Sequence, residues 1–178
     1  PADPYHWPEL ATESFDVIIS GQAFEHIEYP WLIMEEMSRV LRKGGLICIV
    51  APSRGPEHKY PVDCWRYYPD AFRALAKWAG LEVIESKTTW GKSGFSDGSD
   101  QWGDTFCILL KPEKFHSVTK APKRSRPPSG AVNANNPLQK GKQSSYYGFA
   151  RPDVIETIIK NKLPTGKILE IGCAGGAT

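Results

Sequence analysis

The stretch FDVIISGQAFEHIEYPWLIMEEMSRVLRKGGLICIVA, residues 15–51, decides the fold of this 178-residue chain. Its ends, FDVIIS and LICIVA, are short apolar runs rich in β-branched residues, a pattern typical of strands buried on both faces. Between them, Pro30 suits the first turn of a helix, and Gly44 and Gly45 are expected to end that helix. The apolar residues of the helix recur at helical spacing: Ile33, Met37, Val40 and Leu41. A strand, a helix and a strand in this order predict two parallel strands joined by a crossover.

The same alternation continues along the chain. A second helix is predicted from about Pro69 to Ala79, with Gly80 closing it, and the runs LEVIES and DTFCILL are predicted strands. The Gly- and Ser-rich residues 91–103 between those strands are too many for a tight hairpin and predict a surface excursion. The order strand, helix, strand, helix, strand, strand indicates a largely parallel α/β sheet with helices on its faces.

The composition changes after the last of these strands. Residues 113–145 are rich in Pro, Lys, Ser, Asn and Gly and are predicted to be a flexible linker. The basic run KAPKRSR within it could contact phosphates, but such runs are more often solvated, and a net charge of +2 attracts nucleic acid only weakly. Folded sequence then resumes with a predicted helix from Pro152 and a predicted strand from Lys167 to Ile171.

Composition also bears on compartment and metal binding. The cysteines, Cys48, Cys64, Cys107 and Cys173, are widely spaced without a CxxC pair, so we interpret them as packing residues of a reduced, cytoplasmic protein. No run is long and apolar enough to predict a membrane span. No group of residues stands at metal-ligand spacing, so the sequence predicts no metal site.

Two motifs carry a resemblance to a known family. Residues 13–52 resemble the second half of a class I S-adenosylmethionine-dependent methyltransferase domain: its fourth strand, an EH turn, a helix, a turn here reading RVLRKGG, and its fifth strand. ILEIGCAGGAT, residues 168–178, resembles the family's first motif, acidic-x-Gly-x-Gly-x-Gly, and departs from it at Ala174.

The resemblance implies an incomplete Rossmann-like α/β fold. Residues 1–112 would supply strands four to seven of one methyltransferase domain, and residues 146–178 the start of a second domain, which would be a partner within the same polypeptide. Circular permutation of a single domain is the alternative. The strand at Lys167–Ile171 could still dock beside Phe15–Ser20, because the family's first and fourth strands are neighbours.

The resemblance also implies S-adenosylmethionine as cofactor. Glu170 would support its methionine end, and Asp3 would meet the adenine amino group, although Asp3 in a Pro-rich turn also has a purely structural interpretation. Three residues follow the first strand at the carboxyl edge, where ligands of open α/β sheets bind: Gly21, Gln22 and Ala23. Two glycines would let the backbone approach the cofactor: Gly172 and Gly176.

Three further residues are candidates for chemistry. His58 and Asp63 lie in PSRGPEHKYPVDCWRYYPD, the loop after the second strand, where His or Asp could take a proton from a hydroxyl. The aromatic residues of this loop suit a polar, ring-shaped acceptor, or alternatively plug the sheet edge. His26, in the EH pair, would face the methyl donor or hold the turn by hydrogen bonds.

The sequence therefore predicts methyl transfer from S-adenosylmethionine to a small-molecule or saccharide acceptor. The alternatives are an inactive methyltransferase-like scaffold, whose support is Ala174, and a nucleic-acid-binding module. Because the predicted cofactor residues come from two incomplete domains, this chain by itself is expected to bind the cofactor weakly and to transfer no methyl group.

Overall fold

A computed structural model describes residues 3–91, 99–113 and 166–172. Several predictions concern residues outside these ranges: the linker, the helix after Pro152, Ala174 and Gly176. Within them, no helix is long and apolar enough to cross a membrane.

Five strands and two α-helices form the described part. Their bounds are β1 Phe15–Gly21, α1 Pro30–Val40, β2 Leu41–Ala51, α2 Pro69–Ala79, β3 Glu82–Thr88, β4 Thr105–Leu110 and β5 Ile168–Gly172. Short 3-10 turns lie at Phe24–His26 and Ser99–Gln101. The order of elements agrees with the prediction from the sequence.

All five strands belong to one sheet, in the order β3-β4-β2-β1-β5. β1 runs parallel to β2 and to β5, whereas β4 runs antiparallel to both β2 and β3. Four strands therefore point one way and β4 points the other way. The α/β, Rossmann-like fold class and the antiparallel final strand are confirmed, and so is the pairing of β5 with β1. The division into two domains stays a prediction, since residues 114–165 lie outside the described ranges.

The two helices cover one face of the sheet. α1 starts with Pro30 in its first turn, and α2 ends at Gly80, whose left-handed φ of 70° lets the Leu81 amide donate to Ala76 O at 2.9 Å. The core between helices and sheet holds, among others, Ile18, Met34, Met37, Ile47, Ile49, Phe72, Ala76 and Leu109.

The opposite face is less well covered. Cys48 of β2 and Phe106 and Ile108 of β4 form a small buried cluster there. Farther along the same face, Ile19 on β1 is 36% exposed and Ile168 on β5 is 61% exposed. Parallel strands are ordinarily buried on both faces, so this side of β1 and β5 exposes apolar surface.

The end of α1 differs from the prediction. The helix ends at Val40 rather than at the glycines, and β2 begins at Leu41. The reason is tertiary: Ser14 N–H donates to Val40 O at 2.8 Å, and Leu41 pairs in register with Phe15 of β1. β2 thus begins at the residue directly after the helix, and Gly44 and Gly45 lie within β2.

Candidate functional site

The carboxyl ends of the parallel strands meet at one edge of the sheet. Gly21 of β1 aligns with Val50 of β2 on one side and with Gly172 of β5 on the other. Among the described residues, no atom lies within 4 Å of a Cβ built on Gly21. Two of the predicted cofactor residues therefore lie side by side at an open position of this edge.

Gln22 and Ala23 lead from β1 into the 3-10 turn Phe24–His26. Gln22 has a left-handed φ of 50°, its amide donates to Val50 O at 2.9 Å, and its Nε2 donates to Asp104 Oδ1 at 3.0 Å. Ala23 is 4% exposed, and its carbonyl accepts from the His26 amide at 3.0 Å. These hydrogen bonds hold the backbone after β1, so that Glu25 and His26 lie at the carboxyl edge.

The loop after β2 folds back onto this turn. The Cys64 amide donates to Glu25 O at 2.7 Å, and the Trp65 indole N–H donates to Ile27 O at 2.8 Å. Tyr67 is 3% exposed, donates its hydroxyl to Phe24 O at 3.0 Å and stacks on Phe72 with ring centroids 4.9 Å apart. Tyr67 is thus a core residue that plugs the edge, whereas the ring of Tyr68 is exposed.

His58 and Asp63 are brought together, as their shared loop suggested. His58 Nδ1 lies 3.4 Å from Asp63 Oδ2, and the His58 amide donates to the same oxygen at 2.8 Å. Arg66 donates to both carboxylate oxygens, at 2.6 and 2.8 Å. The Arg66 hydrogen bonds lower the pKa of Asp63 to about 2, so this carboxylate stays charged and orients His58.

Glu25 and His26 face His58 from the other side. Glu25 Oε1 lies 3.6 Å from His26 Nε2 and 3.7 Å from His58 Nε2, and the two imidazole centroids are 4.8 Å apart. Glu25 is fully buried, and neither of its carboxylate oxygens has a hydrogen-bond partner within the described residues. Burial raises the pKa of Glu25 to about 7 and lowers the pKa of His26. Buried titratable groups of this kind are typical of functional sites.

The remaining predicted residues lie elsewhere in the fold. Glu170 stands on the exposed face of β5, aligned with Ile19. Asp3 Oδ1 accepts from the Tyr5 amide at 2.8 Å, and Asp3 forms an isolated β-bridge with His6. The carboxylate of Asp3 thus takes part in its own turn, in agreement with the structural interpretation of that residue, and its role toward a cofactor stays a prediction.

Glu25 and Asp104 have roles in the site that the sequence analysis did not assign. For Glu25, the sequence did contain a signal of a role in the site: it stands directly before His26, in a turn that follows a buried strand. Asp104 had none, because it reaches Gln22 only through the sheet order, 82 residues away in the chain. The convergence of His26 with His58 is likewise a product of the folded loop.

Comparison with known proteins identifies relatives of this chain. Residues 2–49 match the methyltransferase domain family. A methyltransferase of Mycobacteroides abscessus is 30% identical over 123 residues, covering 64% of this chain and 47% of that protein. Another, of Mycobacterium ulcerans, is 33% identical over 88 residues, covering 49% of this chain and 34% of that protein. The chain thus spans between a third and a half of these curated relatives.

Some solved structures are similar to part of this chain. A methyltransferase in complex with the Haloferax volcanii Trm112 methyltransferase activator has a TM-score of 0.48 and 19% identity, covering 64% of this chain and 60% of that one. Phosphoethanolamine N-methyltransferase 2 of Haemonchus contortus, with S-adenosylhomocysteine bound, has a TM-score of 0.45 and 16% identity. The match covers 58% of this chain and 35% of that one. The family match over residues 2–49 and the curated relatives show that this part of the chain is similar to methyltransferases, and the sheet that it helps to form is a Rossmann-like α/β sheet.

Proposed function

We propose that the chain takes part in methyl transfer from S-adenosylmethionine to a hydroxyl group of a small-molecule or saccharide acceptor. The observation that supports this function best is the convergence of Glu25, His26 and His58 at the carboxyl edge of the parallel strands. Open α/β sheets bind their ligands at that edge.

The donor side of the proposed site is formed by the strand ends. Gly21 and Gly172 are adjacent in register, and the space above Gly21 is open, so a cofactor could approach the backbone of both strands. Gln22 stands next to Gly21, and Glu170 precedes Gly172 by two residues. The role of Ala23 toward the cofactor rests on its place at the carboxyl edge, and the roles of Asp3 and Gly176 rest on the family resemblance alone.

The acceptor side is formed by His58 and Asp63. The charged Asp63 carboxylate favours the tautomer of His58 that carries its proton on Nδ1, which leaves a lone pair on Nε2. Such an imidazole can orient an acceptor hydroxyl or accept its proton. Since the donor is a sulfonium, the protein mainly has to hold the two reactants in line.

The test is a transfer assay with methyl-labelled S-adenosylmethionine and a panel of monosaccharides, nucleotide sugars and phenols. It is run on the 178-residue chain and on a polypeptide of the curated relatives' length that contains it. We expect transfer from the longer polypeptide. His58→Ala and Asp63→Asn should each lower kcat by roughly 100-fold while leaving cofactor affinity unchanged.

His6→Ala is the matched control, because His6 is exposed and lies outside the site. Unchanged turnover in both site variants would remove His58 and Asp63 from the mechanism. Cofactor binding without transfer to any acceptor would favour the inactive scaffold. Salt-dependent binding to single-stranded nucleic acid would favour the nucleic-acid-binding module.

A further inference from the structure

The cluster of Glu25, His26 and His58 has the composition of a metal site. One ligand atom from each residue can be chosen so that all three lie within 4.8 Å of one another. Two of the separations, from Glu25 Oε1 to the two Nε2 atoms, are 3.6 and 3.7 Å. Ligands bound at about 2.0–2.2 Å from a common ion are roughly 3–4 Å apart, so these separations suit a shared cation.

The outer nitrogen of each imidazole lies near a proton acceptor. His26 Nδ1 lies 2.6 Å from Val62 O, and because a carbonyl can only accept, this nitrogen carries the proton. His58 Nδ1 faces Asp63 Oδ2 at 3.4 Å. Backbone carbonyls and carboxylates are the usual outer partners of metal-binding histidines, since they turn the Nε2 lone pair toward the metal.

No hydrogen bond explains why the inner atoms lie so close together. Both Nε2 atoms face the Glu25 carboxylate, and 3.6–3.7 Å is too long for a hydrogen bond. Glu25 is fully buried with both oxygens unpartnered within the described residues, an arrangement that is costly for the ionised carboxylate unless a positive charge is added. Arg66, the nearby guanidinium, already pairs with Asp63.

We propose that Glu25, His26 and His58 bind one divalent first-row transition-metal ion through the carboxylate and the two Nε2 atoms. Imidazole with one carboxylate suits zinc, iron or cobalt better than magnesium or calcium, which prefer oxygen ligands. Three protein ligands leave at least one coordination position open. His58 is the most exposed of the three side chains, at 22%, so the open position faces its side of the loop.

The ion would change the part that His58 takes in the reaction. His58 would hold the cation, Asp63 would position His58, and an acceptor oxygen could occupy the open position. Acceptor binding at the ion rests on the proposed function, whereas metal binding itself does not.

The experiment is a binding measurement on the metal-free 178-residue chain. Calorimetric titration with Zn²⁺, and absorption spectroscopy with Co²⁺, should give one ion per chain. The Co²⁺ spectrum should lack a sulfur-to-cobalt band, which separates this site from the cysteines. Asp63→Asn should weaken binding by roughly 10–100-fold, and His26→Ala, His58→Ala and Glu25→Gln by more than that.

His6→Ala is again the control, because His6 Nδ1 lies 3.7 Å from Glu36 Oε1 and offers a similar His–Glu pair without a second imidazole. Circular dichroism checks that each variant is folded, and the near-isosteric Glu25→Gln carries the test if a histidine variant is not. Absence of stoichiometric binding, or binding that survives all three ligand variants, overturns the inference. The measurement uses neither cofactor nor acceptor, so metal binding can hold where methyl transfer fails, and chelator-resistant transfer without metal binding would leave only the proposed function standing.

Discussion

A single carboxylate, Glu36, ties the N-terminal segment to α1. It accepts from the Trp7 amide at 3.0 Å and from Arg39 at 2.8 to 3.2 Å, and Arg39 in turn donates to Trp7 O and Leu10 O. Burial alone would raise the pKa of Glu36, but the hydrogen bonds from Arg39 and Trp7 outweigh it and hold the pKa below its usual value. The segment that carries Asp3 is therefore anchored by ionised Glu36.

Glu36→Gln should destabilise the fold by roughly 1–3 kcal/mol, because it removes charge-assisted hydrogen bonds from a buried position. The effect depends on pH. A carboxyl whose pKa is lowered in the folded state contributes stability above its unfolded pKa, here 4.5, and loses it as the pH falls through the lower folded value. Urea unfolding at pH 7 should show the full difference in the free energy of unfolding between the variant and the unmodified chain. This difference should shrink as the pH is lowered progressively below 4.5.

The matched control is Glu35→Gln on the same helix. Glu35 is exposed and accepts one hydrogen bond, from the Trp78 indole at 2.7 Å, which glutamine can still accept. A Glu35 variant as destabilised as the Glu36 variant would mean that general charge on α1, and not the buried contacts, sets the effect.

At the scale of elements, two glycines of neighbouring strands have opposite surroundings. A Cβ on Gly45 of β2 would lie 2.8 Å from Arg42 O and from Asp16 O, whereas a Cβ on Gly21 of β1 would meet no atom of the described residues within 4 Å. Gly45 is thus needed for the close approach of backbone that lets β2 begin at Leu41. Gly21 has no such packing reason, and its open side faces the proposed cofactor.

Substituting alanine at each position separates packing from function. Gly45→Ala should cost roughly 1–3 kcal/mol in the free energy of unfolding, because backbone must shift to accept the methyl group. Gly21→Ala should change stability by no more than roughly 0.5 kcal/mol. In the longer polypeptide it should weaken S-adenosylmethionine binding by roughly tenfold or more, measured by calorimetry. Unchanged cofactor affinity in a folded Gly21 variant would place the cofactor away from this edge.

At the scale of the whole molecule, β5 completes the sheet from the far end of the chain. Its backbone pairs with β1, and the preceding Lys167 carbonyl accepts from the Asp16 and Val17 amides at 2.9 and 3.3 Å. Leu169 and Ile171 point to the core side, while Ile168 and Glu170 point to the other face. The docking covers an edge of β1 that would otherwise be unpaired.

Leu169→Asp should release β5 from the sheet, because a carboxylate would replace an apolar side chain packed against the core. Hydrogen exchange of the Asp16 and Val17 amides should then lose protection, by at most about 1.5–3 kcal/mol, the value of a buried leucine. Glu170→Lys, on the exposed face of the same strand, should leave protection unchanged. Equal protection in the Leu169 variant and the unmodified chain would show that β5 is not held by its core-facing side chains.

Much of the fold follows from local pattern, and the errors lie where two segments meet. The apolar runs, the proline at each helix start and Gly80 placed four of the strands and both helices within a few residues. The predicted end of α1 was wrong. Gly44 and Gly45 are helix-ending residues by local rules, but Leu41 already pairs with Phe15 of β1. The sequence left open whether the aromatic residues of the loop after β2 contact an acceptor or plug the sheet edge, because nothing local distinguishes buried Tyr67 from exposed Tyr68.

The sequence by itself determined the α/β class, the resemblance to methyltransferases and the loops at the carboxyl edge, because strand and helix periods and a nearly continuous motif are properties of neighbouring residues. Only the tertiary structure decided which side chains converge there. Glu25 and His58 are 33 positions apart in the chain, and Gln22 and Asp104 are 82 apart. Their contacts depend on how the loop after β2 folds onto the turn after β1, through backbone hydrogen bonds such as that from Cys64 to Glu25, which no residue pattern specifies.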